Sequence, residues 1–210
     1  MAGQRELHDH YFREAKREGY RARAAYKLIE IDDRRDVIAT GDKVLDLGAA
    51  PGSWLQVASR RVGDRGCVVG IDLQDIDAGL PSHVRMITGD VNDAHALPEA
   101  PFDVVLSDMA PSTTGNRTID HHRSVRLCNT ALDLCRTILR PGGNLVIKVF
   151  EGESYRDLLD QCSQCFESAK GFKPKASRNA STEMYIVCHR RFESLAPPPP
   201  TAPPPPASGW

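Results

Sequence analysis

What the chain has little of narrows the field first. No apolar run among its 210 residues approaches the ~20 needed to cross a bilayer. The opening Met1-Ala-Gly-Gln-Arg-Glu-Leu-His8 has no apolar stretch of the kind that marks a secretory leader. The expectation is a soluble, cytoplasmic protein with no membrane partner. Excess charge is missing too. With 27 basic and 28 acidic residues the net charge is −1, which on its own argues nothing about nucleic acid. The six cysteines, Cys67, Cys128, Cys135, Cys162, Cys165 and Cys188, are scattered through segments that read as core strands and helices, which excludes a disulfide framework. Cys162-Ser-Gln-Cys165 has C-x-x-C spacing without a second pair, and His121-His122 has no third ligand nearby. Neither completes a tetrahedral site, so no metal is expected, and the two histidines read as capping or solvent-exposed.

What is there is ordinary globular material, 40% hydrophobic and 26% charged, enough for one domain with its own core. Proline is the exception, with eight of 15 in Pro197–Pro200 and Pro203–Pro206. Proline this dense supplies no helix or sheet hydrogen bonds. The expected organisation is a basic helical segment over 1–34 packed on a core of 35–191, then a disordered proline-rich tail over 192–210. Charge is segregated along the chain. Arg13–Lys27 has a balance of +4, Lys170–Arg191 of +5, and Asp36–Ala169 of −7. Two basic ends around an acidic centre form a phosphate-binding face if the fold unites them, and a solvated surface if it does not.

The pattern alternates. Helices are expected over Asp9–Glu18 and Arg23–Asp33, and strands over Lys43–Leu47, Cys67–Ile71, His83–Ile87, Phe102–Ser107, Asn144–Lys148 and Glu183–His189. Further helices are expected over Ser53–Arg61, Thr118–Leu139 and Tyr155–Ala169. Short apolar runs separated by helices predict an α/β fold, a mostly parallel sheet with helices on both faces. In such sheets ligands bind beyond the carboxyl ends of the strands.

Val44-Leu-Asp-Leu-Gly-Ala-Ala-Pro-Gly52 runs from a strand through a glycine-containing loop into a helix. Ala50 breaks the dinucleotide fingerprint, and the Gly-Lys-Ser/Thr of a phosphate loop is missing. Acids follow successive strands: Asp46, Asp72, Asp90 and Asp108. They repel phosphate and suit a cationic ligand with ribose hydroxyls, and Asp72 stands where nucleotide folds place the ribose-holding acid. S-adenosylmethionine has a sulfonium, a ribose and no phosphate, so it fits better than NAD.

Five stretches carry a resemblance: Asp9-His-Tyr-Phe…Gly-Tyr-Arg-Ala-Arg-Ala-Ala-Tyr-Lys-Leu28, Asp46-Leu-Gly-Ala-Ala-Pro-Gly-Ser-Trp54, Ser107-Asp-Met-Ala-Pro111, Ile147-Lys-Val-Phe150 and Ser177-Arg-Asn-Ala-Ser-Thr-Glu-Met-Tyr185. Colinear over roughly residues 8–190, they resemble the FtsJ/RrmJ family of RNA 2′-O-ribose methyltransferases. The resemblance implies a Rossmann-like methyltransferase sheet, S-adenosylmethionine as cofactor, and a catalytic tetrad at Lys27, Asp108, Lys148 and Glu183. It puts the cofactor contacts on Gly52, Trp54, Asp72, Asp90 and Asp108. Ser53 departs from the second glycine of many bacterial relatives, and the tail lies outside the pattern. The implied substrate is RNA, with the compact motif set closest to enzymes acting on a uridine of 23S rRNA, and the implied state is a monomer. Transfer RNA, an mRNA cap, or an inactive ribosome-assembly role on the same fold are the alternatives. A small-molecule methyltransferase is disfavoured by the basic ends and the lack of a lid domain.

Methylating a 2′-hydroxyl needs oxygen, methyl carbon and sulfur in line, and removal of a proton from a poor acid. Lys148 serves as base only when neutral. Burial and Lys27 favour that form, whereas Asp108 and Glu183 favour the ammonium, so base and orienting group both remain open. Ser112–Arg117 after Pro111 reads as a surface loop beside the site.

Overall fold

A computed structural model describes residues 2–76, 79–93, 100–177 and 181–194, with side chains from residue 10 onward. The proline-rich tail expected over 192–210 therefore lies outside the described residues from 195 on, as do positions 178–180 of the last motif. Helices α1 (Ala2–Arg17) and α2 (Ala25–Arg35) come first. They are followed by strand β1 (Lys43–Leu47), helix α3 (Ser53–Val62), strands β2 (Cys67–Asp72), β3 (Val84–Thr88) and β4 (Phe102–Ser107), and helix α4 (Arg117–Ile138). Strand β5 (Leu139–Phe150), helix α5 (Tyr155–Cys165) and strands β6 (Phe166–Phe172) and β7 (Glu183–Arg191) complete the order.

The strands form one seven-stranded sheet in the order β3-β2-β1-β4-β5-β7-β6. β1 to β5 are mutually parallel, and β7 runs antiparallel to both β5 and β6. Short β-branched runs become strands because both faces are covered. Leu45, Leu47, Ile71, Val105 and Ile147 pack with Cys128, Leu132, Leu158 and Cys162 of α4 and α5. Val44, Val68, Val104, Val146 and Tyr185 pack on the other side with Leu28, Ile31, Leu55 and Val57 of α2 and α3. Strand order reverses between β1 and β4, which opens a crevice at their carboxyl ends.

Two expectations are corrected. The helix predicted over Tyr155–Ala169 stops at Cys165, and Phe166 is extended at φ −131°, ψ 150°. From there β6 pairs with β7 from Phe166↔Arg191 to Phe172↔Tyr185. The strand predicted from Asn144 begins at Leu139, which pairs with Phe102 before an irregularity shifts the register at Val104↔Asn144. That shift lets the Pro141-Gly142-Gly143 segment stay within one strand instead of preceding it.

Candidate active site

The glycine loop between β1 and α3 is held from both sides. Gly48 N–H donates to Ile71 O at 2.9 Å and Ala50 N–H to Asp72 Oδ2 at 3.0 Å. Gly48 has φ +76°, and a Cβ there would lie 2.6 Å from Met109 Cγ, so the loop after β4 can approach only a glycine. Gly52, at φ +99°, turns the chain into α3. The first N–H groups of that helix, at Ser53 and Trp54, have no carbonyl one turn back to bond, which leaves them open to an anionic group of a ligand. Asp72 Oδ1 also accepts from Gln74 N–H at 2.9 Å. Each carboxylate oxygen keeps a further lone pair for a ligand hydroxyl.

The four tetrad positions come together as two ion pairs. Lys148 Nζ lies 2.9 Å from Asp108 Oδ1 and also donates to the Asp108 carbonyl. Lys27 Nζ lies 2.9 Å from Glu183 Oε2. Both lysines are buried, at 7% and 5% exposure, on the α2–α3 face of the sheet. Tyr185 joins the pairs. It stands opposite Lys148 in the β5–β7 register, donates its hydroxyl to Asp108 Oδ1 at 2.7 Å, and has Lys27 Nζ 5.9 Å from its ring centre. Burial first, then the Asp108 carboxylate, pushes the phenol well above its ordinary range, so it stays a donor. The motifs alone do not single out Tyr185, although period-two spacing from Glu183 puts both side chains on one face of β7.

The remaining sequence-selected positions take distinct places. Trp54 is buried, its indole N–H donating to Ala24 O at 2.9 Å and its ring 5.8 Å from Tyr185. That side chain has no surface to offer a ligand, so only its backbone N–H is available to one. Asp90 is exposed, and Asn92 backbone and side-chain donors lower its carboxyl below the usual value. Of the two readings of the histidine pair, solvent exposure fails for His121, which is buried at 2% exposure, whereas His122 is exposed and 3.1 Å from Glu153. Ser112–Arg117 is fastened at its far end: Asn116 caps α4, and Asp120 accepts from Thr114 and Gly115 N–H.

One acid beneath the crevice has no partner. Asp46 is fully buried, and neither carboxylate oxygen has a hydrogen-bond partner. Burial, then the charges of Asp108 and Asp72, raises its carboxyl well above the ordinary value. Asp72 and Asp108 above the buried Asp46, with the first N–H groups of α3 beside them, suit a ligand cationic at one end and carrying a carboxylate and hydroxyls. The chemistry of S-adenosylmethionine fits that donor set. Among the described residues, no group of three or more His, Cys, Asp or Glu side chains is placed to hold a metal, and no helix is long and apolar enough to cross a membrane.

The basic segments meet in part. Lys175 N–H donates to Glu30 Oε2 at 2.7 Å, and Lys27 pairs with Glu183, which brings the 170s and β7 against α2. Arg190 instead pairs with Glu167 along the edge hairpin.

Residues 20–191 match the model of the FtsJ-like methyltransferase family. The chain is 48% identical over 186 residues to the ribosomal RNA large subunit methyltransferase E of Syntrophobacter fumaroxidans, covering 86% of this chain and 94% of that one. It is 49% identical to the protein of that name from Halobacterium salinarum, over 85% of this chain and 72% of the relative. Among solved structures, one described as a ribosomal RNA methyltransferase from Plasmodium falciparum superposes with a TM-score of 0.72 at 28% identity, over 82% of this chain and 99% of that one. An rRNA-methylase fold from Clostridium thermocellum, at 16% identity and a TM-score of 0.54, agrees in fold.

Proposed function

Because the chain belongs to the FtsJ-like methyltransferase family, we propose that it transfers a methyl group from S-adenosylmethionine to a ribose 2′-hydroxyl of large-subunit ribosomal RNA, a uridine of 23S rRNA. The observation that carries the reading is the two part-buried ion pairs, Lys148–Asp108 and Lys27–Glu183, joined by Tyr185 at the strand ends beside the glycine loop. The relatives' shared name supports the RNA class.

Gly52 and Trp54 backbone, Asp72, Asp90 and Asp108 would hold the cofactor, which when bound supplies a methyl group activated by a sulfonium. The protein's residues do the rest. In the resting site Lys148 Nζ donates to two oxygens of Asp108, one from its side chain and one from its main chain. That arrangement aims the amine, and its remaining N–H or lone pair faces an incoming hydroxyl. Asp108, steadied by Tyr185, fixes the height of the amine. Lys27, held by Glu183, fills the other wall and gives the ribose a cationic neighbour. To act as base Lys148 first releases its ammonium proton to solvent; the neutral amine then takes the hydroxyl proton as the methyl is transferred, and the ammonium so formed has its carboxylate partner already in place.

Lys148→Ala is expected to cut methyl transfer by roughly 10²–10⁴-fold with cofactor affinity retained, since the cofactor contacts lie on other residues. Lys148→Arg should not restore it, because guanidinium keeps its proton. Transfer of labelled methyl to 23S rRNA, with ribose-methylation mapping of rRNA and tRNA from cells lacking the protein, tests the substrate. Wild-type-like turnover by Lys148→Ala would remove the lysine from the mechanism, and a missing mark on tRNA alone would move the substrate.

A further inference from the structure

The end of β5 poses a hydrogen-bonding problem. β4 pairs with β5 only as far as Ser107↔Ile147, whereas β7 continues to Phe150↔Glu183. Past Ile147, the β5 backbone groups that point away from β7 are beyond the end of β4. They are the Lys148 carbonyl and both main-chain groups of Phe150, because Glu151 N–H, one residue on, points to β7 and donates to Thr182 O at 2.7 Å. Buried main-chain groups without partners cost about as much as a forfeited hydrogen bond.

Side chains of α4 take the place of β4. Cys128 Sγ–H donates to Lys148 O at 3.0 Å. Ser124 Oγ accepts from Phe150 N–H at 3.0 Å and donates to His121 O at 2.7 Å. His121 Nδ1 lies 2.7 Å from Phe150 O, and His121 Nε2 lies 3.0 Å from Ser154 N–H, which comes just before α5. The partners fix the tautomer. A carbonyl only accepts and a backbone N–H only donates, so Nδ1 carries the proton and Nε2 carries none. The ring is also gripped sterically, since a Cβ on Gly152 would lie 2.3 Å from His121 Cγ.

We propose that His121, as the Nδ1–H tautomer and supported by Ser124 and Cys128, is a positioning residue for Lys148. It locks the free edge of β5 and the turn into α5, so that the Lys148 amine is presented at one height above the sheet. The inference rests on the reading of Lys148 as the group that meets the ribose hydroxyl. None of the α4 side chains touches that hydroxyl. They act through the backbone that carries the lysine, and a shift of about 1 Å there costs up to about a hundredfold in rate.

The test uses the full chain with His121→Phe, which keeps a ring without either nitrogen, and His121→Asn, whose amide nitrogen can replace Nδ1 as donor to Phe150 O. His121→Phe is expected to lower kcat roughly tenfold to a hundredfold with KM for RNA and cofactor affinity unchanged, and His121→Asn to recover most of that loss. By NMR hydrogen exchange, the Ser154 amide should exchange faster in both variants and the Phe150 amide faster only in His121→Phe. Gly152→Ala, which displaces the ring, should reproduce the His121→Phe pattern if that variant does not fold. Wild-type kcat in His121→Phe, or a loss that Asn does not recover, overturns the proposal. If wild-type protein transfers no methyl to RNA, the functional reading fails. The clamp is then judged by exchange alone, and unchanged protection of Ser154 and Phe150 in His121→Phe overturns it.

Discussion

Asp46 sits at the centre of the sheet's carboxyl end with no partner for either oxygen, and the sign of its effect on stability follows directly. Its folded-state carboxyl is raised, by burial first and then by Asp108 and Asp72. Its contribution is therefore intact below the unfolded value near 4 and is lost as pH rises through the folded value. Asp46→Asn keeps the shape and cannot ionise. In cofactor-free protein, the difference in Tm between Asp46→Asn and wild type should be near zero at acidic pH and increasingly favour the variant toward neutrality. A pH-independent difference would show that the carboxyl is not protonated in the fold. The same side chain marks how far residues alone can be read. Lys27, Asp108, Lys148 and Glu183 are legible because each sits in a motif, Lys27 in the first turn of α2, Asp108 just after β4, Lys148 near the end of β5 and Glu183 at the start of β7. Tyr185 and His121 are not, because a tyrosine in an apolar strand and a histidine in a helix read as core and surface until their partners are known. Asp46 reads as one of a row of strand-end acids, and only burial separates it from Asp90.

At the level of elements, the parallel core is legible nearly strand for strand, because apolar runs bounded by glycine, proline and aspartate have few other solutions. The edge hairpin is not. Phe166-Glu-Ser-Ala-Lys-Gly-Phe172 has a buried residue at each end and small or charged residues between, and it follows a helix without a proline to break it. Only pairing with β7 makes it a strand, which is a tertiary override of local preference. Helix α4 shows the opposite case, with its start written locally. Asn116 Oδ1 accepts from Thr118 and Ile119 N–H, and α4 in turn carries the side chains that grip β5. Asn116→Ala should lower stability by about 1 kcal/mol in denaturant unfolding and leave cofactor affinity unchanged. A drop in cofactor affinity would instead tie the Ser112–Arg117 segment to the ligand.

For the molecule as a whole, the near-zero net charge conceals an asymmetry that the fold partly gathers on the α2 side. Arg21 is a poor probe of it, because its side chain donates to Pro51 O and so braces the glycine loop. Arg13 and Lys16 lie on the first helix, away from that brace. Replacing both by glutamate should weaken RNA binding and flatten its salt dependence by about 0.7 in log–log slope for each phosphate no longer neutralised, with cofactor affinity intact. Unaltered RNA affinity would make that face a solvated surface. The site also has a timetable. Lys27 and Glu183 lie 156 positions apart, and β7, which brings Glu183 and Tyr185, is the last in chain order of the strands among the described residues yet lies between β5 and β6. A nascent chain halted before Glu183 can lay down the glycine loop, Asp108 and Lys148, but it leaves Lys27 without its counter-charge and Asp108 without its phenol. β6 meanwhile waits without β7, its one neighbour among the described residues. On the proposed mechanism, competence waits for β7 to enter between β5 and β6 and close the sheet from within, and chains halted before Glu183 would be catalytically silent.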